Sequence, residues 1–259
     1  MSSEARYRLL YDDYDSTTCI NVPFGKFSWA TLSLPFFAFI FCVVYSIAYN
    51  FESTTFSHCH VYNFLPSISS AIGNFSPQRE VWQLAIALHG LPRLCVAAAY
   101  LQYHKEVLFP WAFYLSVVTC ALNVTENIAL IILSFWTSSD NYPIHKTAFI
   151  TFIITSELYM LLAWILNKRC RKHQRNTAET KSLKWKKRLV TFNISCIIAA
   201  TYFFIRHNTW CEKYVYSAFA FFEYMVVLSN MAFHMTAYLD FKDRNLVISK
   251  SGIALRYNR

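Results

Sequence analysis

The chain has 259 residues, of which 55% are hydrophobic, and a formal net charge of +9. This apolar share exceeds the roughly 45–50% of a soluble domain, and the apolar residues come in long blocks instead of a helical or strand period. The charge does not indicate nucleic-acid binding, because the basic residues crowd beside the ends of apolar blocks and do not interleave with aromatics.

Six apolar blocks reach the about 20 residues that an α-helix needs to cross a bilayer core. In chain order they are Phe27 to Asn50, Val81 to Tyr103, Trp111 to Trp136, Ala148 to Leu166, Leu189 to Ile205 and Val215 to Leu239. The first block follows no basic n-region or cleavage site, so we expect an anchor rather than a signal peptide. Tryptophans lie near block ends, as in interfacial belts, at Trp29, Trp82, Trp111, Trp136 and Trp210.

This pattern predicts an all-α, six-transmembrane-helix bundle over 27–239, with tails at 1–26 and 240–259. Lysine and arginine positions predict its orientation. The loop 168–188 holds ten of them and the loop 51–78 holds none. Both termini and the loop 168–188 are therefore predicted to be cytosolic, and the loop 51–78 lumenal. The basic loop is open to two interpretations, contact with anionic lipid or recruitment of a partner.

Cysteine placement predicts a disulfide. Of eight cysteines, only Cys59 and Cys211 fall in predicted lumenal loops, and an oxidising lumen favours pairing them. The run from His58 to His60 offers metal-ligand side chains. Consecutive residues diverge in direction, however, and the sequence shows no second ligand cluster, so no metal site is predicted.

Polar side chains inside the predicted helices are a further signal, because a charge at the bilayer centre costs about 2.5–3.5 kcal/mol on insertion scales. They are His89, Arg93, Asn123, Glu126, Asn127, Glu157, Asn193, Glu223, Asn230 and His234. Spacings of three, four and seven put most of them on one face of each helix. Counting along the helices puts His89, Glu126 and Glu223 at similar depth, which predicts one polar layer.

Two interpretations of this layer stay open. Arg93 could pair with Glu126 or Glu223, and the asparagines with one another, only to hold the helices together. Alternatively, the layer could line a cavity that accepts a lipid headgroup or performs chemistry, with Pro92 kinking its helix beside Arg93. The loop 51–78 could likewise lie on the lumenal leaflet or cap the bundle.

Several motifs resemble the post-GPI-attachment to proteins factor 2 family, in order and with compatible spacing over Phe27 to Phe241. They are Leu65 to Gly73, Pro77-Gln78-Arg79, Leu88-His89 with Pro92-Arg93, Asn123 with Glu126-Asn127, Arg206-His207-Asn208 followed by Cys211-Glu212, and Asn230 to Ala237. The wider Frag/DRAM/Sfk group shares the six-helix layout. The resemblance implies a multi-pass protein of Golgi and endoplasmic reticulum membranes that remodels GPI-anchor lipid. The implied step is reacylation of lyso-GPI-anchored proteins with a saturated fatty acid at the sn-2 position, for their maturation and stable surface display.

The resemblance also implies site residues. Candidate catalytic residues are His89, His234, Arg93, Glu126 and Glu223, and candidate substrate-binding residues are Asn123, Asn127, Asn230, Arg206, His207 and Asn208. Transfer of an acyl group to a lipid hydroxyl needs a general base, for which histidine is suited, and donors for an oxyanion, for which arginine or asparagine would serve. Glu157 matches no motif of the family.

Three functional hypotheses follow. The first is an acyltransferase or an essential component of one, and the second a non-catalytic lipid-binding or transport protein that presents lyso-GPI to a separate acyltransferase. The third is a proton-coupled carrier using Glu126, Glu157 and Glu223, for which the sequence lacks internal repeats. The acyl donor would be acyl-CoA or a phospholipid, and no cofactor is predicted. Expected partners are membrane lipid, GPI-anchored proteins and other remodelling enzymes, and no nucleic acid.

Overall fold

The computed structural model describes residues 18–73, 75–249 and 252–257. In chain order the elements are β1 (Thr18–Pro23), α1 (Phe24–Tyr49), α2 (Phe51–Thr55), α3 (Ile68–Gly73), α4 (Gln78–Val107), a 3-10 turn (Pro110–Ala112), α5 (Phe113–Phe135), α6 (Tyr142–Arg169), α7 (Thr177–Trp210), α8 (Val215–Met235), α9 (Ala237–Asp240), β2 (Arg244–Ser249) and β3 (Gly252–Tyr257). Six helices, α1 and α4 to α8, are long and apolar enough to cross a membrane. The predicted six-helix bundle is confirmed.

The helix α7 is longer than its apolar block. It begins at Thr177, about three turns before the predicted start. A capping box fixes this start: the Asn176 side chain accepts from Glu179 N at 2.8 Å, and the Glu179 carboxylate accepts from Asn176 N at 2.9 Å. The predicted basic loop 168–188 is therefore mostly helix, and only 170–176 connect α6 to α7.

Many polar side chains lie inside the bundle beside apolar ones, whereas large apolar side chains cover much of its outer surface. Glu126 and Asn193 are 0% exposed, whereas Phe37 and Leu91 are 63% and 71% exposed. This inverted distribution is what a lipid solvent requires, because tails accept apolar surface and offer polar groups no hydrogen bonds. Of the five tryptophans expected near the headgroups, Trp82 differs from the others: it is buried and donates to Ser134 Oγ at 3.0 Å.

A small antiparallel sheet joins segments that the sequence predicted only as tails. Its strand order is β1-β2-β3, with Val22 opposite Leu246 and Leu246 opposite Leu255. Leu246 is fully buried in a core with Phe24 and Tyr103, so the sheet packs on the helices. The rest of the predicted amino-terminal tail, 1–17, lies outside the described residues. We call this end of the bundle the sheet end.

At the opposite end, Cys59 and Cys211 form a disulfide with Cα atoms 5.2 Å apart. We call this the disulfide end; the sequence predicts it to be lumenal. Cys59 belongs to a segment, 56–73, that we call the cap. Ser46 donates to Ala71 O at 2.8 Å, and Ser217 accepts from Phe64 N at 2.8 Å. The cap therefore packs over the bundle, which agrees with the second interpretation of this loop.

The six long helices pack as pairs. α5 lies against α6, α7 against α8, and α1 and α5 against α4, whereas α6 and α7 contact each other far less. The weak contact between α6 and α7 leaves space between the two helix pairs on the disulfide side. This space is part of the main cavity described below.

Candidate functional site

Five polar side chains from α4, α5 and α8 meet inside the bundle. They form what we call the central polar cluster: Arg93, Asn123, Glu126, Asn230 and His234. Arg93 Nη2 lies 3.1 Å from Glu126 Oε1 and donates to Asn123 Oδ1 at 3.1 Å. Arg93 and Glu126 are 6% and 0% exposed, so this ion pair is withdrawn from solvent. Arg93 pairs with Glu126, the first of the two partners that the sequence allowed.

His234 is held between Arg93 and Glu126. Its Nε2 lies 2.7 Å from Arg93 Nη2 and 3.1 Å from Glu126 Oε1. An unprotonated Nε2 accepts from the guanidinium of Arg93, and a protonated Nε2 donates to the carboxylate of Glu126. Tyr159 stacks on the imidazole, with ring centroids 5.2 Å apart and planes 8° apart. In either protonation state, the Nε2 of His234 is therefore engaged within the cluster.

The buried asparagines connect different helices. Asn230 donates to Glu126 Oε1 at 3.1 Å and to Ser156 Oγ at 2.9 Å, which brings α6 to the cluster. Asn127 donates to the Gly90 carbonyl at 2.9 Å. Asn193 donates to the Val226 carbonyl at 2.9 Å. The asparagines thus serve separate contacts and do not satisfy one another.

A cavity of about 260 Å³ lies between the cluster and the cap, and we call it the main cavity. Its wall is mostly aliphatic and aromatic, including Ile86, Leu133, Phe152, Phe219 and Met231. Its polar lining includes His89, Arg93, Glu223, Ser69 and His145. An apolar chamber with a few convergent polar groups is typical of a small-molecule or lipid site.

His89 borders this cavity with an oriented ring. Its Nδ1 lies 2.7 Å from the Thr31 carbonyl oxygen. A carbonyl only accepts, so Nδ1 carries the proton in the neutral ring and Nε2 carries the lone pair. The described residues offer Nε2 no hydrogen-bond partner. His89 is thus outside the central polar cluster, although it lies one helical turn from Arg93.

Glu223 also lies apart from the cluster. Its Oε2 accepts from the backbone N of Ile68, the first residue of α3, at 2.9 Å. This carboxylate lines the main cavity beneath the cap. The expected single layer of His89, Glu126 and Glu223 is therefore two sites: a cluster at Glu126, and a cavity bordered by His89 and Glu223.

The predicted substrate-binding run at 206–208 lies at the disulfide end of α7, away from the cluster. Arg206 pairs with Glu212 at 2.5 Å, and its hydrogen bonds hold the pKa of the Glu212 carboxyl below the ordinary value. Asn208 donates to the Phe204 carbonyl of its own helix at 2.8 Å. His207 is buried. The structure does not bring these three side chains into the main cavity.

Glu157 is separate from all of these groups. It lies on α6, and neither carboxyl oxygen has a hydrogen-bond partner among the described residues. The neighbouring Ser156, and not Glu157, contacts the cluster through Asn230.

A second polar group at the sheet end was missed by sequence reasoning. Lys186, counted above among the basic loop residues, is 1% exposed, and its Nζ lies 2.5 Å from Asp240 Oδ2. Tyr100 donates to the same oxygen at 2.7 Å. Lys186 is four residues beyond the buried Ser182, to which it donates at 2.7 Å. The four-residue spacing from Ser182 to Lys186, which puts both on the helix face opposite the exposed Lys184, was the available signal in the sequence.

His145 and Ser69 of the cavity wall were also missed. Ser69 Oγ lies 2.9 Å from His145 Nε2, and His145 Nδ1 lies 2.8 Å from the Trp136 carbonyl. The carbonyl fixes the proton at Nδ1, so Ser69 donates to Nε2. The pair joins the cap to the start of α6. His145 lay outside the predicted helix, where a lone histidine carries little signal.

The family described as the Frag1/DRAM/Sfk1/Cwh43P N-terminal domain matches residues 23–244. A Drosophila pseudoobscura pseudoobscura protein named "Post-GPI attachment to proteins factor 2" is 48% identical over 90% of this chain and 92% of its own length. A Xenopus tropicalis protein named "Acyltransferase PGAP2" is 42% identical over 92% of this chain and 95% of its own length. No solved structure matches the chain. Since these matches cover most of both chains, the chain belongs to the Frag1/DRAM/Sfk1/Cwh43P family and, within it, to the post-GPI-attachment factor 2 group.

Proposed function

We propose that this chain is itself an acyltransferase that adds a saturated acyl chain to the sn-2 hydroxyl of lyso-GPI anchors in Golgi and endoplasmic reticulum membranes. A role in GPI-anchor lipid remodelling follows from the family. The observation that carries the chemical proposal is the main cavity, an apolar chamber that ends at an oriented histidine and a buried arginine. The name of the Xenopus tropicalis relative, "Acyltransferase PGAP2", supports the same reaction class.

In this proposal His89 is the general base. Its Nδ1 is fixed by the Thr31 carbonyl, so Nε2 can take the proton of the glycerol hydroxyl as that oxygen attacks the acyl carbonyl. Arg93, which lines the same cavity, stabilises the oxyanion. The imidazolium then returns the proton to the leaving group, a thiol from acyl-CoA or an alcohol from a phospholipid. The base is regenerated and the new ester stays on the anchor.

His234 has a different role in this proposal. Its Nε2 is engaged by Arg93 and Glu126, so the ring holds the cluster in place instead of taking a substrate proton. Glu126 and Asn123 complete this support. The cluster orients Arg93, and His89 performs the proton transfer.

The cavity suits a lipid substrate. Its aliphatic and aromatic wall would bury acyl-chain surface at about 25 cal/mol per Å². Residues from both α6 and α7 form part of the wall, for example Phe152 and Thr201, and these two consecutive helices contact each other far less than α5 contacts α6 or α7 contacts α8. We infer that lipid enters between α6 and α7 and that its headgroup lies toward the cap.

The test uses the purified full-length chain in lipid nanodiscs with lyso-GPI and, in separate arms, acyl-CoA or a phospholipid donor. Wild type should form diacyl-GPI with one donor. His89→Gln should lose about 10²- to 10⁴-fold in rate, the usual contribution of a general base, with unchanged lyso-GPI binding. The matched control is His60→Gln, because His60 is exposed on the cap.

Two results would contradict this proposal. Binding of lyso-GPI by wild type without product from either donor would support a protein that presents lyso-GPI to a separate acyltransferase. Full activity of His89→Gln would remove His89 as the base.

A further inference from the structure

His207 has a buried imidazole ring at the disulfide end. It is 1% exposed, and neither ring nitrogen has a hydrogen-bond partner among the described residues. Its ring packs against the rings of His58 and Tyr216, with centroids 5.4 and 5.0 Å away. Leaving a buried polar group unpaired destabilises the folded protein. The ring nitrogens of His207 are therefore open to a bound ligand such as a metal ion.

The side chains around His207 are of the types that bind metal ions in proteins. The ligand atoms of His58, Cys59 and His207 all lie within 4.8 Å of one another. The disulfide brings the sulfur of Cys211 to the same place. His58 Nε2 is 3.4 Å from Cys59 Sγ, close to the about 3.5 Å between nitrogen and sulfur ligands held tetrahedrally at usual zinc bond lengths.

These four residues are a Cys₂His₂ set, a common composition of structural zinc sites. They come as two short segments, His58-Cys59 from the cap and His207 with Cys211 from the end of α7. The sequence prediction of no metal site rested on two grounds, that consecutive residues diverge in direction and that there is no second ligand cluster. In the structure, His58 Nε2 and Cys59 Sγ converge to 3.4 Å. The fold supplies that cluster, since His207 and Cys211 come from a distant part of the chain.

We propose that Cys59, Cys211, His58 and His207 bind one zinc ion when the disulfide is reduced. A dithiol reductant gives two electrons and two protons to the disulfide and leaves as a disulfide itself. Zn²⁺ then displaces the two thiol protons and binds two thiolates and two neutral imidazoles, so the site carries no net charge. An external disulfide takes the two electrons of the thiolates and leaves as two thiolates, which re-forms the S–S bond and releases the ion.

The site is structural in kind. Four protein ligands fill a tetrahedral zinc ion and leave no position for substrate. His58 is exposed and Cys59 partly exposed, so the ion can enter from solvent, whereas His207 forms the inner wall. The cap stays attached to α7 in both states, by a covalent bond in one and by coordination in the other. The proposal is independent of the acyl-transfer reaction.

The experiment uses the full-length chain in detergent, reduced with a phosphine so that no added thiol competes for the metal. After incubation with Zn²⁺ and removal of unbound ion, metal analysis should find about one zinc per chain, and none after reoxidation. Co²⁺ in place of Zn²⁺ should give a sulfur-to-cobalt charge-transfer band. A reduced protein that binds no zinc would overturn the proposal.

Variants identify the ligands. His207→Ala and His58→Ala should each weaken zinc binding at least about tenfold, since loss of even an outer-shell partner costs 10- to 100-fold. The matched controls are His60→Ala, next to Cys59 and outside the set, and Cys170→Ser, a buried free cysteine. His58 is exposed, so its variant keeps the test valid if His207→Ala does not fold. Unchanged affinity in His58→Ala, or equal loss in Cys170→Ser, would contradict the assignment.

Discussion

The two membrane histidines differ in what holds them. The Nδ1–H of His89 donates a hydrogen bond to a backbone carbonyl, whereas Nε2 of His234 lies between Arg93 and Glu126, and its ring stacks on Tyr159. A backbone acceptor leaves the other nitrogen of His89 free, and a guanidinium donor occupies His234. Two residues of one type therefore have different chemistry because their hydrogen-bond partners differ.

The ion pair of Arg93 and Glu126 gives a prediction about stability. Arg93→Met should lower the amount of folded protein, because removing one partner of a buried pair costs about 3–5 kcal/mol. Quantitative blotting and the apparent melting temperature in detergent measure this loss. The double variant Arg93→Met with Glu126→Gln removes both charges and should recover much of the stability but none of the reacylation. A double variant no more stable than the single one would show that the lost charge balance is not the cause.

Lys186 gives a second prediction. Lys186→Met should lower the apparent melting temperature strongly, because it leaves Asp240, 8% exposed, without its cation. Lys187→Met is the matched control, since the neighbouring Lys187 is exposed and surface changes stay within about ±0.5 kcal/mol. Equal effects of the two substitutions would mean that Lys186 is not paired as described.

At the scale of elements, the sheet is the part least expected from the sequence. Leu246→Ala should destabilise the protein by about 2–5 kcal/mol, as a core truncation does, because Leu246 is fully buried against α1 and α4. Ile20→Ala on β1 is the matched control, since Ile20 is 46% exposed. The apparent melting temperature in detergent compares them. Tolerance of Leu246→Ala equal to that of Ile20→Ala would count against a packed sheet.

The long helices could be predicted because each carries its own signal, about 20 apolar residues. The polar faces could be predicted from spacings of three and four. The sheet could not, since Thr18 pairs with Ser249, and such a pairing depends on the whole fold. The separation of His89 from the cluster could not be predicted either, because the partner of His89 is a backbone carbonyl on another helix.

The same limit applies to Lys186. Counted as one basic residue among ten, it contributes to the topology signal; only the course of α7 and the position of Asp240 show that its side chain turns inward. Residue type gave the number of charges correctly. The direction in which the Lys186 side chain points depends on where α7 begins, and the capping box at Asn176 fixes that start.

At the scale of the whole molecule, orientation is the remaining prediction. Epitope tags after Arg259 and after His173, in the connection between α6 and α7, should react with antibody when only the plasma membrane is permeabilised. A tag after Lys213, beside the disulfide, should react only after internal membranes are opened. The reverse pattern would place the sheet end in the lumen and would contradict the predicted topology.

The sheet end also imposes an order on biosynthesis. Lys186 is made 54 residues before Asp240, so at about 5–20 residues per second it waits roughly 3–10 s for its partner. β1 waits longer, because β2 is made only after α8. A ribosome that stops after α8 releases a chain with a membrane-adjacent lysine lacking its carboxylate and a strand lacking its neighbour. At the sheet end, a complete chain has these groups paired and an unfinished chain does not. We expect unfinished chains to be recognised there by the machinery that degrades them.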